Sequence, residues 1–175
     1  MAVDRESTRS ECEQARLTFH DLLDHATVDD LRRTSDGTRW TNEELLFHMY
    51  FGYFIVVRLR LLVLAFGRLP NSASRVFSAG LEAATTPFHY INYLTTVVGA
   101  RILGPSRLGA AFDHVITRLM RHLDRDSDPD LARGMHYPPS WDPYFKPYMT
   151  LADLYHYPSQ HFEHHRLQLT LGPQT

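Results

Sequence analysis

The chain has 175 residues, a net charge of −2 with histidines neutral, and apolar and charged fractions of 43% and 22%. That predicts one globular domain, residues 1–175, long enough to bury a core and without the polybasic surface that nucleic acid requires. The single cysteine, Cys12, excludes an internal disulfide framework and a Cys-rich zinc site, and it suits a reducing cytoplasm.

The opening stretch, MAVDRESTRSECEQ, is too charged for a signal peptide. From Ser10 to His25, small and apolar residues at Ala15, Phe19, Leu22, Leu23 and Ala26 predict a first helix with one buried stripe. After a polar turn at Gly37, Thr41 is followed three residues later by Glu44, a capping box that starts a second helix running to about Gly67. Its inward stripe reads Leu45, His48, Gly52, Ile55, Leu59, Leu62, Val63 and Phe66, with Gly52 leaving room beside the His48 imidazole. Within this helix the apolar run Tyr53 to Phe66 contains Arg58 and Arg60, and it is too short and too charged to span a bilayer.

Leu69 to Arg75 reads as a loop. Thr85-Thr86-Pro87 fits a helix start, and Phe88 to Leu103 reads as helical. Gly104-Pro105 separates it from a helix over Ser106 to Arg125, with Leu108, Phe112, Val115, Leu119 and Leu123 inward. Residues 134 to 149 hold four prolines and five aromatics and read as an ordered loop. Tyr137, Trp141, Tyr144 and Phe145 there either roof a pocket or cover one end of the fold. Thr150 with Asp153 caps a last helix, taken to extend over residues 151 to 172. With no strand alternation anywhere, the fold class is all-α, a four-helix bundle.

The last helix carries His161 and His165 four residues apart, on a face shared with Leu154, Pro158, Gln168 and Leu169. Two imidazoles at that spacing can grip one divalent ion. His48, also inward, has apolar sequence neighbours that offer it no partner, and burying an unpaired ring costs a few kcal/mol. Three histidines with open coordination positions describe a catalytic rather than a structural site, and iron, nickel and zinc all accept imidazole. The alternative is three core histidines with hydrogen-bond partners and no metal.

Trp40-Thr41, Glu44, Leu46 and His48 reproduce the W-[ST]-x-x-E-x-L-x-H segment of the DinB/YfiT-like superfamily. Thr150-Leu151-x-Asp153-Leu154, then His161, His164-His165-Arg166 and Gln168, resembles that family's last helix. The resemblance implies a four-helix bundle with a long crossover between helices two and three, here residues 68 to 105, containing an extra helix. It implies a divalent metal, nickel or zinc for the most part, on His48, His161 and His165. It also implies a homodimer and, for some members, a transferase or isomerase reaction that uses a low-molecular-weight thiol. Water on the same metal would make a hydrolase, and a metal-stabilised protein without chemistry is the non-enzymatic reading.

Tyr157, His164, Gln168 and Gly52 are the candidate supporting or substrate-contacting residues. Glu163 points away from the ligands, and HFEHH is not a zincin motif. His156 and Arg166 should face solvent or a partner subunit. Pro158 departs from the family pattern. It removes a backbone donor within the ligand helix and predicts a kink just before His161.

Overall fold

The computed structural model describes residues 4–172; the first three residues of the charged start and the last three of the chain lie outside it. Eight helices follow in order: α1 (Arg5–His25), α2 (Val28–Arg32), α3 (Asn42–Phe66), α4 (Asn71–Ala83), α5 (Thr85–Leu103), α6 (Pro105–Arg125), α7 (Asp128–Leu131) and α8 (Leu151–Arg166). The protein is predominantly helical. Between α7 and α8, β1 (Gly134–His136) and β2 (Tyr148–Thr150) pair antiparallel, Met135 opposite Met149, around a loop with one 3-10 turn.

The helix starts follow the chemistry of their caps. Thr41 and Thr150 each accept from the backbone N–H three residues on, while Glu44 and Asp153 reach back, so α3 and α8 start with the expected capping boxes. Asp4 caps Ser7, which brings the start of α1 forward from Ser10 to Arg5. Pro105 opens α6 after Gly104, whose φ of +68° suits a residue without a Cβ.

The long helices α1, α3, α6 and α8 pack as a ring, in which α3 touches α6 and α8, and α1 touches the same two. Phe19, Phe112 and Phe162, from α1, α6 and α8, meet in the core, and the Phe19 and Phe112 ring centroids are 4.2 Å apart. All five inward residues expected on α6 are buried, as is Cys12. Deep between α3, α6 and α8, Asp126 accepts from the Arg60 guanidinium and, at 2.6 Å, from the Tyr155 hydroxyl.

Several expectations are corrected. The segment Leu69–Arg75 is mostly helix, because Pro70 pre-sets the backbone for α4, which begins at Asn71 without a side-chain cap to announce it. Residues 134–149 include a short two-stranded sheet. The last helix ends at Arg166, so Gln168 and Leu169 lie beyond it rather than on its face. The helical run nevertheless continues through Pro158. His156 faces α1, where it meets Glu11 at 2.9 Å and Thr8 at 3.2 Å.

The long stripe of α3 is corrected in part, since Leu45, His48 and Val63 are buried as expected. Leu46, Met49, Tyr53, Val56 and Val57 are buried in the core, whereas Gly52, Ile55, Leu59 and Leu62 line a cavity. By length and composition α3 could cross a membrane, since it stays apolar upstream of Tyr53. In the structure it packs on α5, α6 and α8, and its Arg60 is committed to Asp126.

Candidate metal centre

The site lies where the start of α3 meets the end of α8. Two ties fix that register. The Asn42 side chain donates to Thr170 Oγ1 at 3.0 Å and accepts from the Thr170 N–H at 3.0 Å. The Asp36 N–H donates to the Gln168 carbonyl at 2.7 Å. The tail that follows α8 is therefore tied by hydrogen bonds to the start of α3 and the turn before it, and the helical spacing does the rest.

His48, His161 and His165 come together. Their ring centroids are 5.0 Å (His48–His161), 4.9 Å (His48–His165) and 4.5 Å (His161–His165) apart, and one nitrogen from each lies within 4.8 Å of the other two. Each ring is oriented through Nδ1. His161 Nδ1 donates to Asp142 Oδ2 at 2.8 Å, and His165 Nδ1 donates to Gln168 Oε1 at 2.7 Å. His48 Nδ1 shares a hydrogen bond with Thr96 Oγ1 on α5 at 3.2 Å. Each Nε2 is thereby left as the free ligand atom. That of His161 is buried with no hydrogen-bond partner among the described residues.

These residues fit a divalent ion. A metal-ligating imidazole must be neutral, and it hands its other N–H to a carboxylate or carbonyl oxygen. Burial first, and then the neighbouring His161 and His165, hold His48 well below the ordinary imidazole range. Burial and His161 push His165 down to about 3, against a smaller opposing effect of Gln168. Burial would raise the Asp142 carboxyl, but hydrogen bonds from His161, the Tyr144 N–H and the Tyr157 hydroxyl outweigh it and keep the group below the usual range. An orphaned buried Nε2 facing two similarly freed imidazoles is the costly arrangement that an ion would relieve.

The supporting candidates are close by. The Tyr157 hydroxyl donates to Asp142 at 2.9 Å and lies 3.4 Å from His161 Nδ1. The His164 ring flanks His165 at 5.0 Å. Gly52 is not empty space beside His48: a Cβ there would come 2.8 Å from His161 Cδ2, so the glycine makes room for the His161 ring. Glu163 is exposed and pairs with Arg166. His20, His25, His136 and His156 bond elsewhere and do not join the cluster.

Three contacts lay beyond sequence reasoning: Asp142, Thr96 and the packing of Trp40 on His48, at 4.5 Å between ring centroids. No spacing rule links residue 142 or 96 to a histidine on another helix. Trp40 was legible only as part of a motif.

The histidines open onto a cavity of about 460 Å³. Tyr137, Trp141 and Phe145 of the aromatic loop line it, which decides for the roof over the end cover. Trp141 stacks on Phe88 at 3.6 Å between centroids and donates through Nε1 to the Leu81 carbonyl at 3.2 Å, which anchors the loop to α4 and α5. The fourth aromatic, Tyr144, packs edge-on against His164.

A family model, that of the DinB superfamily, matches residues 11–169, spanning all the helices that bear the three histidines. The chain belongs to the DinB superfamily. No curated protein and no solved structure matches it. For a DinB-superfamily chain, the three-histidine cluster at the junction of α3 and α8 is the feature compatible with metal binding.

Proposed function

We propose that this protein is a metal-dependent enzyme acting on a small molecule, with a divalent ion on the Nε2 atoms of His48, His161 and His165. The observation that carries this reading is the arrangement of the three rings, each engaged through Nδ1, with one nitrogen of each within 4.8 Å of the other two. The ring of α1, α3, α6 and α8 is read as the DinB-type four-helix bundle, with α4 and α5 as the crossover. Nickel or zinc is the expected metal, with iron also suited to imidazole.

When bound, such an ion lowers the pKa of a coordinated thiol or water and polarises an electrophile. The chain's own residues supply orientation and enclosure. Asp142 and Tyr157 hold His161, Gln168 holds His165, Thr96 holds His48, and Tyr137, Trp141 and Phe145 of the aromatic loop line the same cavity. The family-guided reaction is transfer involving a low-molecular-weight thiol, in the manner of a thiol S-transferase. The histidine cluster faces a cavity rather than being closed by a fourth side chain, which favours chemistry over a purely structural ion.

A cytoplasmic location and a homodimer complete the proposal. The lone buried Cys12 supports the first, and the exposed Tyr90, Ile91, Val98 and Ile102 on α5 support the second. The test is metal content by plasma mass spectrometry on untagged protein purified without chelator, beside His161→Ala. About one equivalent in the wild type, lost in the variant, is expected. Absence of metal from both, even after soaking with nickel, zinc and iron, would refute the reading.

A further inference from the structure

The cavity is far longer than the metal centre needs. His48 and Leu62 both line it, and they are fourteen residues apart on α3, about 21 Å along the helix axis. Between them the wall is Gly52, Ile55 and Leu59, and α4 and α5 contribute Leu81 and Phe88. At the far end Leu62 and Phe77 are exposed to solvent, so the chamber is open there. Its volume of about 460 Å³ falls within the range of small-molecule sites.

Among the described residues the lining contains no lysine and no arginine, and beyond the histidine end its polar groups are neutral ones such as Asn92 and the Tyr137 hydroxyl. Its one carboxylate, Asp142, is already engaged by His161 and Tyr157. Arg58 lies over the Phe54 ring and Arg60 is paired with Asp126, so neither of the arginines on the same helix faces the chamber. A ligand carrying carboxylates along its length would bury them unpaired, which opposes binding. An apolar chain loses nothing polar on entry and covers the leucine and phenylalanine wall.

We infer that the chamber binds an elongated, uncharged, apolar molecule, an alkyl or aryl-alkyl chain whose single polar head reaches the histidine end while its tail runs along α3 toward Leu62. The polar head's seat rests on the metal reading above; the tail's seat does not. The same chemistry makes small thiols that carry several carboxylates poor occupants of this site.

The experiment uses the full chain loaded with Co(II), whose absorption reports both the ion and a bound sulfur. It is titrated with n-alkanethiols from ethanethiol to decanethiol and with mercaptosuccinate, a thiol bearing two carboxylates. Dissociation constants should fall about fourfold per added methylene until the chamber is filled. Mercaptosuccinate should bind more weakly than ethanethiol. Leu59→Trp, which narrows the wall away from the histidines, should leave the Co(II) spectrum intact and move the plateau to shorter chains. Dissociation constants that do not change with chain length, or tighter binding of mercaptosuccinate, would overturn the inference. A parallel series of n-alkanols with metal-free protein, read as a rise in Tm, separates the two readings. If neither Co(II) nor nickel, zinc or iron is taken up, the metal reading fails and the alkanol series decides the chamber: a Tm rising with chain length sustains it, and a flat series overturns it.

Discussion

Asp142 and His161 lie nineteen residues apart in sequence, yet the carboxylate oxygen and the ring Nδ1 are 2.8 Å apart, both largely buried. This contact fixes which way the imidazole faces and which nitrogen is free. Partners of this kind typically contribute 10- to 100-fold in metal affinity. Asp142→Ala should therefore weaken metal binding by at least about tenfold, measured by competition with a chromogenic chelator, while the helical circular dichroism is unchanged. Unaltered affinity would show that the carboxylate does not act through His161.

Gly52→Ala tests the space beneath the same ring. The added methyl would sit 2.8 Å from His161 Cδ2, and the ring must move to admit it. Overpacking of this kind costs about 1–3 kcal/mol. The variant should fold, melt at lower temperature and lose most of its metal affinity. Retention of full affinity would mean that the ring has slack that the packing does not reveal.

Arg60 and Asp126 test the scaffold apart from the site. The Asp126 side chain is 3% exposed, and it is held by Arg60 and Tyr155. Removing one partner of a buried pair strands the other charge and costs about 3–5 kcal/mol. Arg60→Met should lower Tm by roughly 10 °C in a chain of this size, with metal stoichiometry retained. Thermal unfolding by circular dichroism measures the first and mass spectrometry the second.

Acid should act on the helix caps. Thr27 holds the Asp30 carboxyl below its usual value, and Ser127 does the same for Asp130. At Asp153, burial opposes the shift, but Thr150 and Lys146 outweigh it. The folded values lie below the unfolded value near 3.8, so the stabilisation is complete above that pH and is lost as pH falls through the folded values. The gap in Tm between wild type and Asp153→Asn should be largest near neutrality and close below about pH 4. A gap independent of pH would exclude the ionised cap as its cause.

Most of the ring of long helices was legible because its cues are local. Thr41 with Glu44, Thr150 with Asp153, and the stripe from Leu108 to Leu123 are short-range patterns, and each appears where expected. The three histidines were legible for the same reason, being inward at helical spacing. What was not legible depends on contacts between distant segments or on ends without caps. Helix α4 starts with no side-chain cap. The β1–β2 pair is three residues long in each strand, too short for alternation to register. The α3 stripe from Gly52 to Leu62 had the periodicity of a core face, but periodicity cannot tell a core face from a cavity wall. Asp142 reaches His161 only because the loop folds back over α8.

That loop performs two tasks with one piece of backbone. Its Trp141 and Phe145 roof the chamber, and its Asp142 sets the orientation of His161. Lifting the roof must therefore withdraw Asp142 from the ring it steadies. On the metal reading, an occupant that kept the loop in place would also preserve the ligand geometry, and an ion that fixed His161 would steady the loop in return. By thermodynamic reciprocity, each would then change the other's affinity by the same factor. On the metal reading, occupancy of the histidine end and grip on the ion would thus be linked through Asp142.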